Sequence, residues 1–116
     1  MTLDELFAEL NVDGNKVISR FAGSQALVLK FVKKFLDDGT YGKLCDAVQG
    51  NDLAGIETAA HTLKGVGANL GFDNLSAAAA AMVDAVRKGN HGELPELFKK
   101  VEEEYNKTKS GIEKLD

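Results

Sequence analysis

Apolar residues recur at helical spacing along almost the whole chain, and only one proline occurs among its 116 residues. Alternation of apolar and polar residues is the pattern of a half-buried strand, and no segment keeps this alternation for long. Glycine, asparagine and aspartate instead divide the chain into helical stretches. The sequence therefore predicts an all-α protein.

Polar caps and turn residues set the expected boundaries of these helices. Thr2 and Glu5 form a capping-box pattern that opens a short helix, and a second short helix should follow over residues 15–21. Four principal helices come next, over residues 24–48, 52–70, 73–88 and 94–115. The segment D-D-G-T-Y-G should interrupt the first of these four, with Thr40 as the cap of its continuation.

Short connections between the four principal helices favour an antiparallel up-and-down four-helix bundle. The two short helices would form an N-terminal cap on this bundle. We find no internal repeat, no linker and no sign of a second domain, so residues 1–116 are expected to form a single domain.

Composition excludes several classes of function. A net charge of −4 argues against nucleic-acid binding, which needs a basic surface to replace phosphate counterions. No apolar run is long enough to span a membrane, and the N-terminus is acidic where a secretion signal would be basic. Two distant histidines and one cysteine, Cys45, form neither a metal site nor a disulfide, and Cys45 is expected to be a buried thiol. We expect a cytoplasmic monomer that uses no metal or cofactor.

The segment A-A-H-T-L-K-G-V-G-A-N-L-G, residues 59–71, places His61 inside a helix that is unusually rich in glycine. Successive residues of an α-helix are rotated by about 100° around its axis, so the apolar residues of this segment fall on one side. That side should face the core. That core face consists of Ile56, Ala59, Leu63, Val66 and Leu70. His61 lies opposite to it. The residues within about 60° of the histidine are Glu57, Lys64, Gly65 and Ala68. The imidazole is therefore predicted to face water in mid-helix, beside a cation and small side chains.

Gly65 needs an explanation, because a glycine inside a helix costs about 0.5–1 kcal/mol relative to alanine. Gly67 borders the core face, where close packing of a neighbouring helix explains it. Gly65 lies on the exposed side, one turn after His61, so we expect it to leave access for a bulky partner. Two simpler interpretations stay open: His61 is an ordinary surface histidine, or another helix packs against Gly65.

The same segment resembles the signature of histidine-containing phosphotransfer (HPt) domains, which is close to A-H-x-L-K-G-x-x-x-x-L-G. The matching positions are Ala60, His61, Leu63, Lys64, Gly65, Asn69, Leu70 and Gly71. The helix layout extends the resemblance over essentially the whole chain. It implies a phosphorelay intermediate whose exposed histidine takes a phosphoryl group from a receiver-domain aspartate and passes it to a response regulator. It also implies a carrier without an ATP site, not a kinase.

The resemblance makes His61 the expected phosphoacceptor. Histidine has an ordinary pKa of about 6.5, so a neutral and nucleophilic imidazole is available at pH 7. Lys64, one turn away on the same face, is placed to stabilise charge on the phosphoryl oxygens. Gly65 and Ala68 are expected to contact the docked receiver domain, which would bring any Mg²⁺ that the transfer needs.

The next helix departs from the HPt pattern at Val83, where many members carry a polar residue. Arg87, one turn further along, is a candidate replacement cation for the phosphoryl group, with a solvated surface charge as the alternative. Glu57, one turn before His61, either bonds the second ring nitrogen or is simply solvated.

Two other classes of function stay open. An enzyme with His61 as general base would need a pocket and a second catalytic group. A helical interaction bundle without phosphotransfer would carry no phosphohistidine at all.

Overall fold

A computed structural model describes residues 1–116, which form helices and connecting turns. Two short helices open the chain, α1 over Leu3–Glu9 and α2 over Gly14–Arg20. The predicted capping box is present. The Thr2 hydroxyl accepts a hydrogen bond from the Glu5 amide at 3.2 Å, and the Glu5 carboxylate accepts one from the Thr2 amide at 3.1 Å.

The predicted interruption of the next element is also present. Helix α3 spans Gln25–Lys34, a 3₁₀ turn follows over Phe35–Asp37, and α4 spans Thr40–Gln49. Thr40 does not cap α4, so that prediction was wrong. Thr40 is the first helical residue, and its amide donates to the Asp38 carboxylate at 2.8 Å. An acidic side chain two residues earlier thus accepts the hydrogen bond of an otherwise free amide.

Three longer helices complete the chain. Helix α5 spans Leu53–Asn69, α6 spans Asp73–Lys88 and α7 spans Leu94–Glu113. Asp52 caps α5 by accepting from the Gly55 amide at 3.0 Å. Gly71 follows α5 in the left-handed conformation, at φ +80°, as the prediction of a helix-ending glycine requires.

Helices α4, α5, α6 and α7 pack in chain order, each against the next. Tyr41 of α4 stacks on Tyr105 of α7 with ring centroids 3.8 Å apart, which brings the first and last of these helices together. One cluster of 24 buried apolar residues draws on every α-helix of the chain. The prediction of an all-helical bundle is therefore confirmed, and its antiparallel up-and-down course stays a prediction.

Helix α4 contains the single cysteine of the chain. Cys45 is only partly buried, so the expectation of a buried thiol was wrong. Its position is about 100° around α4 from Leu44, which is completely buried, and this places Cys45 at the edge of the core face.

None of the helices combines the length and the hydropathy that a membrane-spanning segment requires.

Candidate functional site

Helix α5 presents His61 on its solvent side. Of the five residues predicted for its core face, four are buried and Val66 is partly buried. His61 is exposed in the middle of the helix, and its imidazole forms no hydrogen bond or ion pair within the chain. The structure contains no cluster of metal-ligating side chains. The imidazole is thus open to a molecule arriving from solvent.

Both ends of α5 are fixed by side chains from outside the helix. Asp52 caps the first turn. At the other end, the Arg20 guanidinium donates from Nη1 to the carbonyl oxygens of Ala68 at 2.8 Å and Asn69 at 3.3 Å. A cation at this position adds hydrogen bonds to carbonyl groups of the last turn and opposes the negative end of the helix dipole. Sequence reasoning missed Arg20, because its partner lies 48 residues away and no local pattern connects them.

The two glycines that follow His61 have different surroundings. A Cβ atom added at Gly65 would meet nothing within 4 Å. A Cβ added at Gly67 would lie 3.4 Å from the Phe72 carbonyl oxygen and 3.5 Å from the Ser76 amide nitrogen. Gly67 therefore allows close packing of α6 on α5, as predicted. No neighbouring helix packs against Gly65, which rules out the packing explanation for that residue.

Lys64 is an unpaired cation on the histidine's side of α5. Its side chain is exposed and forms no ion pair. Its backbone is fixed, because the Ser76 hydroxyl of α6 donates to the Lys64 carbonyl oxygen at 2.9 Å. Because the ammonium group has no ion-pair partner, it is free to reach a negative group that forms one turn away on His61.

Glu57 and Arg87 are paired with each other. The Arg87 Nε lies 2.6 Å from the Glu57 Oε1, across the α5–α6 interface. From the sequence, Glu57 was expected to bond the second ring nitrogen or to be solvated, and Arg87 to be a phosphoryl-binding cation or a solvated surface charge. Instead, Glu57 bonds Arg87, and Arg87 is already engaged by a carboxylate. An exposed ion pair of this kind contributes only about 0–1 kcal/mol to stability, so its main effect is on the local charge.

One stripe of α6 runs beside this part of α5. Ser76, Ala80, Val83 and Arg87 are spaced by four, three and four residues, so they share a face of the helix. The two ends of the stripe touch α5, through the hydrogen bond of Ser76 and the ion pair of Arg87. Val83 lies between these contacts and is only 4% exposed. Between Ser76 and Arg87 this stripe has no hydrogen-bonding side chain, so the polar position of many HPt domains has no equivalent here.

A groove of about 700 Å³ lies between α4 and α5, on the side of α5 away from α6. Its wall on α5 includes Thr58 and Thr62, whereas His61 does not line it. The groove and the His61 imidazole are therefore separate features of the α5 surface.

Comparison with known protein families gives one match. A family model described as the Hpt domain matches residues 31–111, which is more than half of the chain and includes all of α5. Comparisons with curated proteins and with solved structures found no match.

Proposed function

The chain belongs to the Hpt domain family, and on this premise we propose that it is a phosphorelay intermediate with His61 as its phosphoacceptor. Hpt domains carry out histidine phosphotransfer in two-component phosphorelays and interact with receiver domains; they are carriers, not kinases. The setting of His61 supports the assignment to this residue. Its imidazole is exposed, unbonded and in mid-helix, with open space beside it at Gly65.

The proposed step transfers a phosphoryl group from a receiver aspartate to the histidine. A ring nitrogen of His61 attacks the phosphorus with its lone pair, and the N–P bond forms as the bond to the aspartyl oxygen breaks. The aspartate leaves as a carboxylate, and the remaining ring proton passes to water. Transfer to a second receiver is the reverse reaction with another aspartate. Such a transition state is loose, so the protein contributes mainly alignment and charge stabilisation.

The residues around His61 have distinct roles in this proposal. Lys64 approaches the phosphoryl oxygens and offsets their charge, since its ammonium group has no competing partner. Gly65 has no side chain and Ala68 only a methyl group, so these two residues form the open surface on which the receiver docks. Arg87 and Glu57 border this surface as a neutral pair, so that the Glu57 carboxylate does not repel the incoming phosphoryl group.

Replacement of His61 tests the assignment. We expect the wild-type protein to be labelled by phosphoramidate and by a phosphorylated receiver domain, with a label that is acid-labile and base-stable. His61→Gln should accept no label, yet its thermal unfolding should be unchanged because the imidazole is exposed and unbonded. The matched control is His91→Gln, which changes the other exposed histidine and should label normally.

Two results would contradict the proposal. Persistent labelling of His61→Gln would show that another residue is the acceptor. A folded wild-type protein that no donor labels would instead favour the helical interaction bundle without phosphotransfer.

A further inference from the structure

Lys64 is held through its backbone and not through its side chain. The Ser76 hydroxyl of α6 donates to the Lys64 carbonyl oxygen at 2.9 Å. A carbonyl oxygen has two lone pairs, and inside an α-helix one of them accepts the amide four residues later. The Ser76 hydroxyl can therefore use the second lone pair, so that it ties α6 to α5 without opening the α5 helix. The Lys64 side chain itself is exposed.

This hydrogen bond depends on the close approach of the two helices at Gly67. A Cβ atom added at Gly67 would lie 3.4 Å from the Phe72 carbonyl oxygen and 3.6 Å from the Ser76 Cβ. Only three residues separate α5 from α6, and one of them, Gly71, has the left-handed conformation at φ +80°. The chain therefore returns along α5 at once, and the Ser76 hydroxyl lies beside a residue 12 positions earlier.

The turn of α5 that follows His61 has few other contacts to hold it. Gly65 comes directly after Lys64, and glycine weakens a helix because its backbone has the most conformational freedom to lose. A Cβ at Gly65 would meet no atom within 4 Å, so packing does not compensate for the weak helix propensity there. Ala68, one turn after Lys64, is exposed. Local opening of this turn would change the direction of the Lys64 side chain, and the Ser76 hydrogen bond opposes such opening.

The direction of Lys64 matters because the nearby cation of α6 is already paired. The Arg87 Nε lies 2.6 Å from the Glu57 Oε1. Val83, one turn before Arg87 on the same stripe, has an apolar side chain and is buried. Lys64 can therefore approach a phosphoryl group on His61 without giving up an ion-pair partner. Stabilisation of this kind depends on alignment, because a displacement of about 1 Å can cost much of its effect.

We propose that Ser76 is a positioning residue for the phosphorylation of His61. Its hydroxyl holds the Lys64 backbone, so that the ammonium group is directed at the oxygens of the phosphoryl group. Ser76 acts through Lys64 and does not touch the phosphoryl group, since its hydroxyl proton is donated to the Lys64 carbonyl oxygen. Helix α6 thus contributes to the reaction through the backbone of α5. This inference rests on the proposed function.

Labelling of His61 by phosphoramidate tests the role of Ser76. In this reaction a ring nitrogen of His61 attacks the phosphorus, the P–N bond of the donor breaks, and ammonia leaves. The donor is small and needs no docking, so the rate reports the surroundings of the histidine alone. Lys64→Ala should slow labelling. Ser76→Ala should slow it by about threefold to tenfold, because the cation is retained but is less well aligned.

The double variant separates positioning from a purely structural role. If Ser76 acts through Lys64, adding Ser76→Ala to Lys64→Ala should have no further effect, because no ammonium group is left to position. A hydrogen bond that only stabilises the bundle would instead lower the rate by the same factor with or without Lys64.

Amide hydrogen exchange measures the hydrogen bond without any phosphoryl chemistry. The Ala68 amide, whose helical acceptor is the Lys64 carbonyl oxygen, should exchange faster in Ser76→Ala than in the wild type. Thr62→Ala is the matched control, because the Thr62 hydroxyl also donates to a carbonyl oxygen of α5, that of Thr58 at 3.1 Å, but does not tie α5 to α6. This control should leave the labelling rate and the exchange of the Ala68 amide unchanged.

Several results would overturn the inference while leaving the proposed function intact. These are a wild-type labelling rate in Ser76→Ala, equal slowing in Thr62→Ala, unchanged exchange of the Ala68 amide in Ser76→Ala, or a double variant that is slower than Lys64→Ala. Wild-type protein that neither phosphoramidate nor a phosphorylated receiver labels would overturn the inference and the proposed function together.

Discussion

Gly65 and Gly67 are two residues apart on α5, yet a side chain at each position would meet different surroundings. The space beside Gly65 is empty, and the space beside Gly67 is occupied by the backbone of the next helix. A side chain at position 65 would therefore affect the approach to His61 and leave the packing of the bundle unchanged.

Substitution of Gly65 should separate stability from function. Gly65→Ala should stabilise the protein by about 0.5–1 kcal/mol, because alanine is the better helix former and its Cβ meets no atom. Gly65→Gln should also fold, but its side chain should block the receiver, so transfer from a phosphorylated receiver falls steeply while phosphoramidate still labels His61. Thermal denaturation and the two labelling assays measure these effects. The control Gly67→Gln should destabilise the bundle, and undiminished receiver transfer in Gly65→Gln would refute the access role.

The Glu57–Arg87 pair allows a test by double substitution. If Arg87 acts by neutralising Glu57, Arg87→Ala should slow phosphorylation of His61 by receiver and phosphoramidate alike, since it leaves a carboxylate one turn from the acceptor. Adding Glu57→Gln should then restore the rate. A double variant as slow as Arg87→Ala alone would show that Arg87 acts on the phosphoryl group directly. A time course of His61 phosphorylation in each variant measures these rates.

The sequence correctly predicted that His61 faces solvent but did not predict the contact between Glu57 and Arg87, and the reason is geometric. The direction of His61 depends only on residue spacing within one helix, which fixes angles to the core face. The contact between Glu57 and Arg87 depends on how α5 and α6 are rotated and shifted against each other. That arrangement follows from packing at Gly67 and Ser76, which a single helix does not encode.

At the scale of helices, aromatic side chains join α4 to α7. Tyr41 stacks on Tyr105 and lies 6.3 Å from the Phe98 ring, and Phe35 adds a further contact to Tyr105 at 5.8 Å. Burial raises the pKa of the Tyr41 and Tyr105 hydroxyls above the ordinary tyrosine value of about 10. The protonated form of both side chains is therefore the one that the folded bundle favours.

This cluster should make the bundle sensitive to alkaline pH. Below about pH 10 both tyrosines are protonated in the folded and unfolded chain, so their contribution to stability is fully present. Above that pH the unfolded chain loses these protons first, and the free energy of unfolding should fall. Urea unfolding at pH 8 to 11 measures the effect. The double variant Tyr41→Phe and Tyr105→Phe should lose less stability over this range, and an equally steep loss would exclude the tyrosines as its cause.

The starts of the helices were largely predictable from local sequence. Thr2, Ser24 and Asp52 each accept a hydrogen bond from an amide three residues later, as their position before an apolar run indicates. Thr40 was misassigned because it is itself helical and its amide donates to Asp38, two residues earlier. The preceding 3₁₀ turn places Asp38 within reach of this amide, and the geometry of the turn depends on the burial of Phe35 in the core.

The whole molecule is elongated, with extents of 41 × 23 × 20 Å and a radius of gyration of 14.4 Å for the Cα atoms. A compact chain of this length is expected to have a radius of gyration of about 13 Å. The difference follows from the length of α7, whose 20 residues run along the bundle. We expect a monomer in solution.

Small-angle X-ray scattering over a concentration series tests the monomer. The radius of gyration should stay close to the monomer value of 14.4 Å at every concentration. Phe31→Ala serves as a control, since it removes the most exposed large apolar side chain and should leave a monomer unchanged. An increase with concentration that Phe31→Ala abolishes would mean that two copies pair through the exposed side of α3 around Phe31.

The hydrogen bonds of Arg20 tie α5 to a part of the chain outside the family match, which begins at residue 31. The guanidinium holds the end of the His61 helix against the N-terminal helices and opposes the negative end of the helix dipole. A fragment limited to the matched residues would therefore keep His61 but leave the end of its helix without this cation.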